Sequence, residues 1–186
     1  VTLLALFARA TVLNKYAEEA MNGDWRQDLK NLPIIVPPFE LEPHFTTLLI
    51  VDMQYMFAHP DHGYGAMLRS RYPQAAAYFF NRLQAVVIPN QRKLIQFCRG
   101  IHLRVTYITT GAALPDGADM VPLAKGQGLE AREKSRRYGK WLARVGSQEH
   151  RILDELAPAA GDLVVNKTSF SAFNSTGIDF TLHNMG

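Results

Sequence analysis

Two charged residues stand where apolar runs stop. Leu48-Leu49-Ile50-Val51 leads directly into Asp52, with Gln54 two positions on, and Leu163 to Asn166 leads into Lys167. A short continuous apolar run is the pattern of a strand buried on both faces of a parallel sheet. In such a sheet, ligands bind outside the carboxyl ends of the strands. The sequence therefore puts a carboxylate and an ammonium at one edge. An acid and a base held side by side on a pocket floor tune each other's protonation. Position alone also admits a plainer use. An Asp after a strand often caps the next turn, and a Lys there is often only solvated.

The elements that would position these groups alternate. Residues 3–22 have helical spacing, with Leu3, Leu6, Phe7, Ala10, Leu13, Tyr16, Ala17 and Ala20 near one face, and Asn22-Gly23-Asp24 ends the helix. Pro33, Pro37, Pro38 and Pro43 make residues 31–45 an extended arm, suited to packing across the domain or onto a neighbouring subunit. Residues 1–45 are thus an N-terminal helix and arm, and 46–186 the globular domain. Within it, 48–51 reads as a strand and 55–73 as a long loop broken by Pro60, Gly63, Gly65 and Pro73. Residues 74–99 read as helix, kinked or divided by Pro89. A second strand is expected at 103–109, a Gly- and Pro-rich loop at 110–128, and a helix at 147–157 with Ser147 as N-cap. The third strand is expected at 163–166. A last helix is expected at 174–184, capped by Asn174 or Ser175. The order predicts an α/β fold, a doubly wound three-layer α/β/α arrangement around a parallel sheet. Three strands are few for such a sheet, and the last helix has no strand after it, so the domain reads as incomplete at its C-terminus.

Composition sets bounds. The chain has 186 residues, 47% of them hydrophobic and 20% charged, enough for one domain with a full core. The net charge of +3 is small and the basic residues are scattered, so nucleic acid is not expected as a partner. The densest basic run, Arg132 to Lys140, reads as a solvated helical face. The single cysteine, Cys98, excludes an internal disulfide and fits a reducing, cytoplasmic setting. No run is long enough for a membrane helix. The start lacks the basic region and cleavage site of a secretory signal, and it lacks Met. It reads as the first helix of a trimmed or partial chain.

Three segments, LLIVDMQYMF, RVTYITTGAALPDGADM and VVNKTSFSAFNSTGIDFTLHNMG, resemble the isochorismatase-like cysteine hydrolases, in that order and over residues 46–186. The third is the most specific, because it combines several residue types at fixed spacing. The resemblance implies an Asp-Lys-Cys site in which Asp52 and Lys167 match their family positions. A cysteine thiolate would attack an amide, carbamoyl or ureide carbonyl. The Asp would take the thiol proton, and the Lys would hold the charge arrangement. Backbone N–H groups at the start of the helix bearing the Cys would hold the oxyanion. The family's Cys follows the next strand, and the chain stops at Gly186, before that strand would begin. Cys98 does not substitute. Late in a helix, it reads as a small core residue at the far edge of the sheet.

Some family members hold a metal through Asp-x-His after the second strand. Here that loop offers Asp116 and Asp119 without His, so no metal or other cofactor is expected. His59 and His62, two His in a glycine-bearing loop, read as solvated. Gln54, Phe57, Phe170 and Phe173 are the candidate substrate contacts, since they lie near the strand ends. Arg136, Arg137, Tyr138 and Trp141 lie where such pockets are often lidded, although a surface helix is the simpler reading. The expectation is a hydrolase of a small amide, carbamoyl or ureide substrate, working as a homo-oligomer, with its Cys beyond this chain. The alternatives are a non-catalytic binding or assembly subunit of the same fold and an isochorismatase-type vinyl-ether hydrolase.

Overall fold

The computed structural model describes residues 42–122 and 143–185. The chain divides into two units, Val1–Glu40 and Leu41–Gly186, and the described residues all belong to the second. The expected N-terminal helix and most of the arm, the basic run, and Arg136, Arg137, Tyr138 and Trp141 lie outside the described residues.

Three parallel strands form the sheet, in the order β1 (Thr47–Val51), β2 (Arg104–Thr110) and β3 (Leu163–Lys167). Leu48 pairs with Val105 and Ile50 with Tyr107, while Thr109 pairs with Asn166 and Thr110 with Lys167. Because side chains alternate along a strand, this register sorts the sheet into two faces. Ile50, Val105 and Tyr107 share one face. They form a core with Ala76, Phe80, Leu83, Ile88, Ile95 and Cys98 from the first crossover and Leu153 and Leu156 from the second. Thr106 and Ile108 point to the other face and are equally buried, outside that core. The short helix α5 (Ala172–Ser175) meets β3, and α6 (Ile178–Met185) follows it with Ile178 buried. The result is the expected α/β arrangement, a parallel sheet covered on both faces. No helix among the described residues is long and apolar enough to cross a membrane.

Several local expectations change. Residues 55–73, expected as loop, hold two helices, α1 (Tyr55–Ala58) and α2 (Gly63–Arg71). The residues that suggested a loop have other uses. Pro73 opens the next helix, α3 (Pro73–Arg82), at a position where a missing N–H is harmless. Gly65 is a close-approach residue, since a Cβ there would stand 2.0 Å from the His59 carbonyl oxygen. Pro89 divides the long helix as expected, by a definite device. A π-helical turn, Leu83–Val87, separates α3 from α4 (Ile88–Gly100), and the Ile88 N–H donates to the Leu83 carbonyl five residues back. Widening the helix by one residue absorbs the donor that Pro89 lacks.

The helix expected at 147–157 does not form. Only a 3-10 turn, Asp154–Leu156, appears there. Instead the backbone of this segment bonds to the residues after β1, Leu153 N–H to Met53 O at 3.0 Å and Tyr55 N–H to Arg151 O at 2.9 Å, while the residues just before it bond to the loop after β2, Ala112 N–H to Ala143 O at 2.8 Å. Ser147 still accepts a bond from the His150 N–H, as an N-cap would, but it closes a single turn. The last helix is split at Gly177. Thr176, rather than Asn174 or Ser175, supplies the hydroxyl that accepts the Ile178 N–H.

Candidate active site

β1 stops pairing at Asp52, whose N–H donates to Ile108 O at 2.9 Å. Asp52 has φ of +57°. Few residues other than glycine accept this left-handed conformation, and Asp is one of them. The consequence is geometric. Had the strand continued extended, Asp52 would follow Ile50 onto the α3–α4 face. The reversal of φ breaks that alternation and sends the carboxylate to Thr110 and Lys167, which belong to the opposite face.

The three strand ends then close on one another. Thr110 Oγ1 donates to Asp52 Oδ1 at 2.7 Å. Lys167 Nζ donates to Asp52 Oδ2 at 3.1 Å and to Thr110 Oγ1 at 2.6 Å. The Thr110 hydroxyl is therefore both donor and acceptor, a bridge between acid and base. Exposure is unequal: the Lys167 side chain is 6% exposed and that of Asp52 36%. A buried cation thus backs a carboxylate that still opens to solvent. Thr110 was not among the expected site residues. Its signal in the sequence is faint, a hydroxyl at the last position of β2, one residue before Gly111.

Gln54 serves this cluster from below. Fully buried, it accepts the Thr110 N–H on Oε1 at 2.7 Å and donates from Nε2 to Thr110 O at 3.1 Å and His150 O at 2.7 Å. Its amide continues the pairing that the β1 backbone abandons at Asp52, so both backbone groups of Thr110 stay satisfied. An Asp two residues before a Gln after a buried strand has a mechanical meaning here. The first residue turns, and the second replaces the missing strand.

The aromatic candidates do not form one group. Phe57 is half-buried on α1, whereas Phe170 and Phe173 are 70% and 51% exposed beyond β3. Cys98 is buried in the core as expected, and burial pushes its thiol pKa up. Its carbonyl accepts the Leu103 N–H just before β2, at the amino end of the strands. The whole length of β2, about 20 Å at a strand's rise per residue, separates that end from Thr110. Asp116 and Asp119 bond to backbone N–H groups of their own loop, at Ala118, Ala113 and Leu114. His59 and His62 pack ring to ring with Tyr55. Among the described residues, no three His, Cys, Asp or Glu side chains converge as a metal site would need.

The isochorismatase domain family matches residues 46–186. The ureidoacrylate amidohydrolase RutB of Caulobacter segnis is 27% identical over 160 residues, which cover 83% of this chain and 62% of that protein. Its counterpart in Acinetobacter baylyi is 27% identical over 181 residues, covering 95% of this chain and 67% of that protein. A cysteine hydrolase from Pseudomonas syringae pv. phaseolicola 1448A, 21% identical, has the same fold, with a TM-score of 0.55 over 82% of this chain and 61% of that one. The chain thus spans about three fifths of the length of several such relatives. The family match runs through all three strands and takes in Asp52, Thr110 and Lys167, so the chain belongs to the isochorismatase domain family.

Proposed function

We propose that this domain is the acid–base half of a hydrolase that cleaves a C–N bond in a small amide, carbamoyl or ureide substrate. One observation carries the reading: the Asp52–Thr110–Lys167 cluster at the carboxyl edge of the sheet, with its carboxylate open and its cation buried. The amidohydrolase names of its relatives favour this substrate class.

The reading gives each group a step. Asp52 takes the proton of a cysteine thiol, and the thiolate attacks the substrate carbonyl. Lys167 keeps the paired negative charge in place and has a third N–H beyond its two bonds. As the C–N bond breaks, Asp52 returns the proton to the leaving nitrogen. It then takes a proton from the water that attacks the thioester, and it restores the thiol as the C–S bond breaks. Cys98 cannot supply the sulfur, because it is buried at the other end of β2. The reading therefore requires a cysteine outside residues 1–186. Gln54 acts in this scheme by holding Thr110. Phe57, Phe170 and Phe173 remain the proposed apolar contacts for substrate.

The test uses the protein as its gene encodes it, with its intact mass measured first. Ammonia release is then followed with ureidoacrylate and N-carbamoyl amino acids, and isochorismate cleavage is followed alongside. Turnover of a ureide or carbamoyl compound is expected, falling about 1000-fold or more in Asp52→Asn and Lys167→Met. Cleavage of isochorismate alone would replace this reading with vinyl-ether hydrolysis. Binding of these compounds without cleavage would leave a non-catalytic domain.

A further inference from the structure

We propose that His150 is a positioning residue for this site, acting from the opposite face of the sheet. Its kinetic consequence rests on the hydrolase reading, while its geometry does not. The neighbours of His150 are bonded to the residues after β1, with Glu149 O accepting the Met56 N–H and Arg151 O the Tyr55 N–H, both at 2.9 Å, so its backbone is held against that strand end. Its carbonyl accepts Gln54 Nε2 at 2.7 Å, and its ring Nε2 meets Asn166 Oδ1 at 2.9 Å. Asn166 in turn donates from Nδ2 to Gly111 O at 2.9 Å. That bond fixes the orientation of the Asn166 amide, because only its nitrogen can serve a carbonyl. Oδ1 is then the acceptor, and His150 Nε2 carries the proton. Thr109 Oγ1 also donates to Asn166 Oδ1, at 3.4 Å. The ring presses on Gly111 so closely that a Cβ there would stand 2.4 Å from His150 Cδ2.

These bonds link Gln54, His150, Asn166 and Gly111 into one chain. Gln54, Gly111 and Asn166 come from the ends of β1, β2 and β3, and His150 joins them. Each lies next to a member of the proposed acid–base cluster: Gln54 two residues from Asp52, Gly111 beside Thr110, and Asn166 beside Lys167. Successive strand residues face opposite ways, so fixing Asn166 on one face fixes where Lys167 emerges on the other. The Gly111 N–H also donates to Lys167 O at 3.2 Å. Through these bonds His150 sets the spacing of three strand ends whose side chains must meet within hydrogen-bond distance. A misplacement of about 1 Å costs roughly 100-fold in rate, so a partial loosening costs less but remains measurable.

The test compares His150→Phe, which keeps the ring's bulk without its N–H, with His150→Gln, whose amide nitrogen reaches the place of Nε2. In the full-length protein, His150→Phe is expected to lower kcat about tenfold with KM nearly unchanged, and His150→Gln to stay within about threefold of the parent. A second readout needs no substrate. Amide hydrogen exchange at Thr110 and Gly111 is expected to speed up about tenfold in His150→Phe, while Tyr107 in mid-strand keeps its protection. Unchanged exchange at Thr110 and Gly111, or equal impairment of both variants, overturns the proposal. Asp52→Asn separates the two readings. If it turns over normally, the hydrolase reading fails while the exchange data still judge His150. If it is inactive and His150→Phe behaves like the parent, only the role of His150 fails.

Discussion

The Asp52–Lys167 pair should respond asymmetrically to loss of either partner. Lys167 is the buried member, 6% exposed against 36% for Asp52. Removing one partner of a fully buried pair costs about 3–5 kcal/mol, because the other charge is left without compensation. Asp52→Asn keeps the shape but leaves the Lys167 ammonium in the interior with only neutral neighbours. Since the Asp52 site is about one third open, water offsets part of the loss, and about 2–3 kcal/mol is expected. Lys167→Met leaves the opposite situation. Asp52 keeps its bond from Thr110 and turns its other oxygen to solvent, so the cost should be about 1 kcal/mol or less. The double variant should resemble Lys167→Met, giving a coupling of about 2 kcal/mol. Urea unfolding of the full-length protein at neutral pH measures all four species, with equal slopes required for the comparison. If Lys167→Met costs as much as Asp52→Asn, or if the two costs simply add, the inference from burial is refuted.

Other outcomes follow from single atoms. Thr110→Val removes the hydroxyl between acid and base at nearly constant shape and should cost about 1–2 kcal/mol in the same unfolding assay, whereas Thr110→Ser should not. Gln54→Leu orphans the Thr110 N–H and C=O, and it should destabilise the protein by about 2–4 kcal/mol, more than any change at Phe170 or Phe173, which are exposed. Tyr107 is fully buried, and its hydroxyl lies beside the Arg99–Asp162 pair without a hydrogen bond of ordinary geometry. Tyr107→Phe should therefore be neutral or stabilising by up to about 1 kcal/mol, read as Tm. Burial raises the Tyr107 pKa above its ordinary 10.0 and that of Cys98 above 9.0. Folding then favours the neutral forms, so their contribution is intact below pH 9.0 and declines as pH climbs past 9.0 and 10.0. Thermal melts across that range should show the decline, and Tyr107→Phe should reduce it.

What was legible in the sequence was what depends on residue type in order. Continuous apolar runs ending in Asp52 and Lys167 placed both residues at the carboxyl edge of a parallel sheet, because runs of that kind survive only where both faces are covered. Cys98 was legible as a core residue for the same reason, as one apolar position among the helical contacts of α4. Pro89 was legible as an interruption, since a missing donor inside a helix has to be absorbed somewhere.

The tertiary structure decided the rest. Nothing in the order of residues shows that Asp52 reverses its φ and so crosses to the face of Thr110 and Lys167. Gln54 looks like a ligand group by type. It became a substitute for a strand once the backbone pairing of β1 had stopped beside Thr110. The segment 147–157 has helical composition, yet its N–H and C=O groups found partners in the residues after β1, far away in sequence, and long-range bonds of that kind override local propensity. His150 and Asn166 lie 16 residues apart, and although Asn166 stands beside Lys167 in a family-like segment, nothing in the order of residues pairs it with His150. They meet because β3 and the segment before it are folded against the same strand ends. Local chemistry is written in the chain, but which groups share a hydrogen bond depends on the register of strands that only the folded sheet sets.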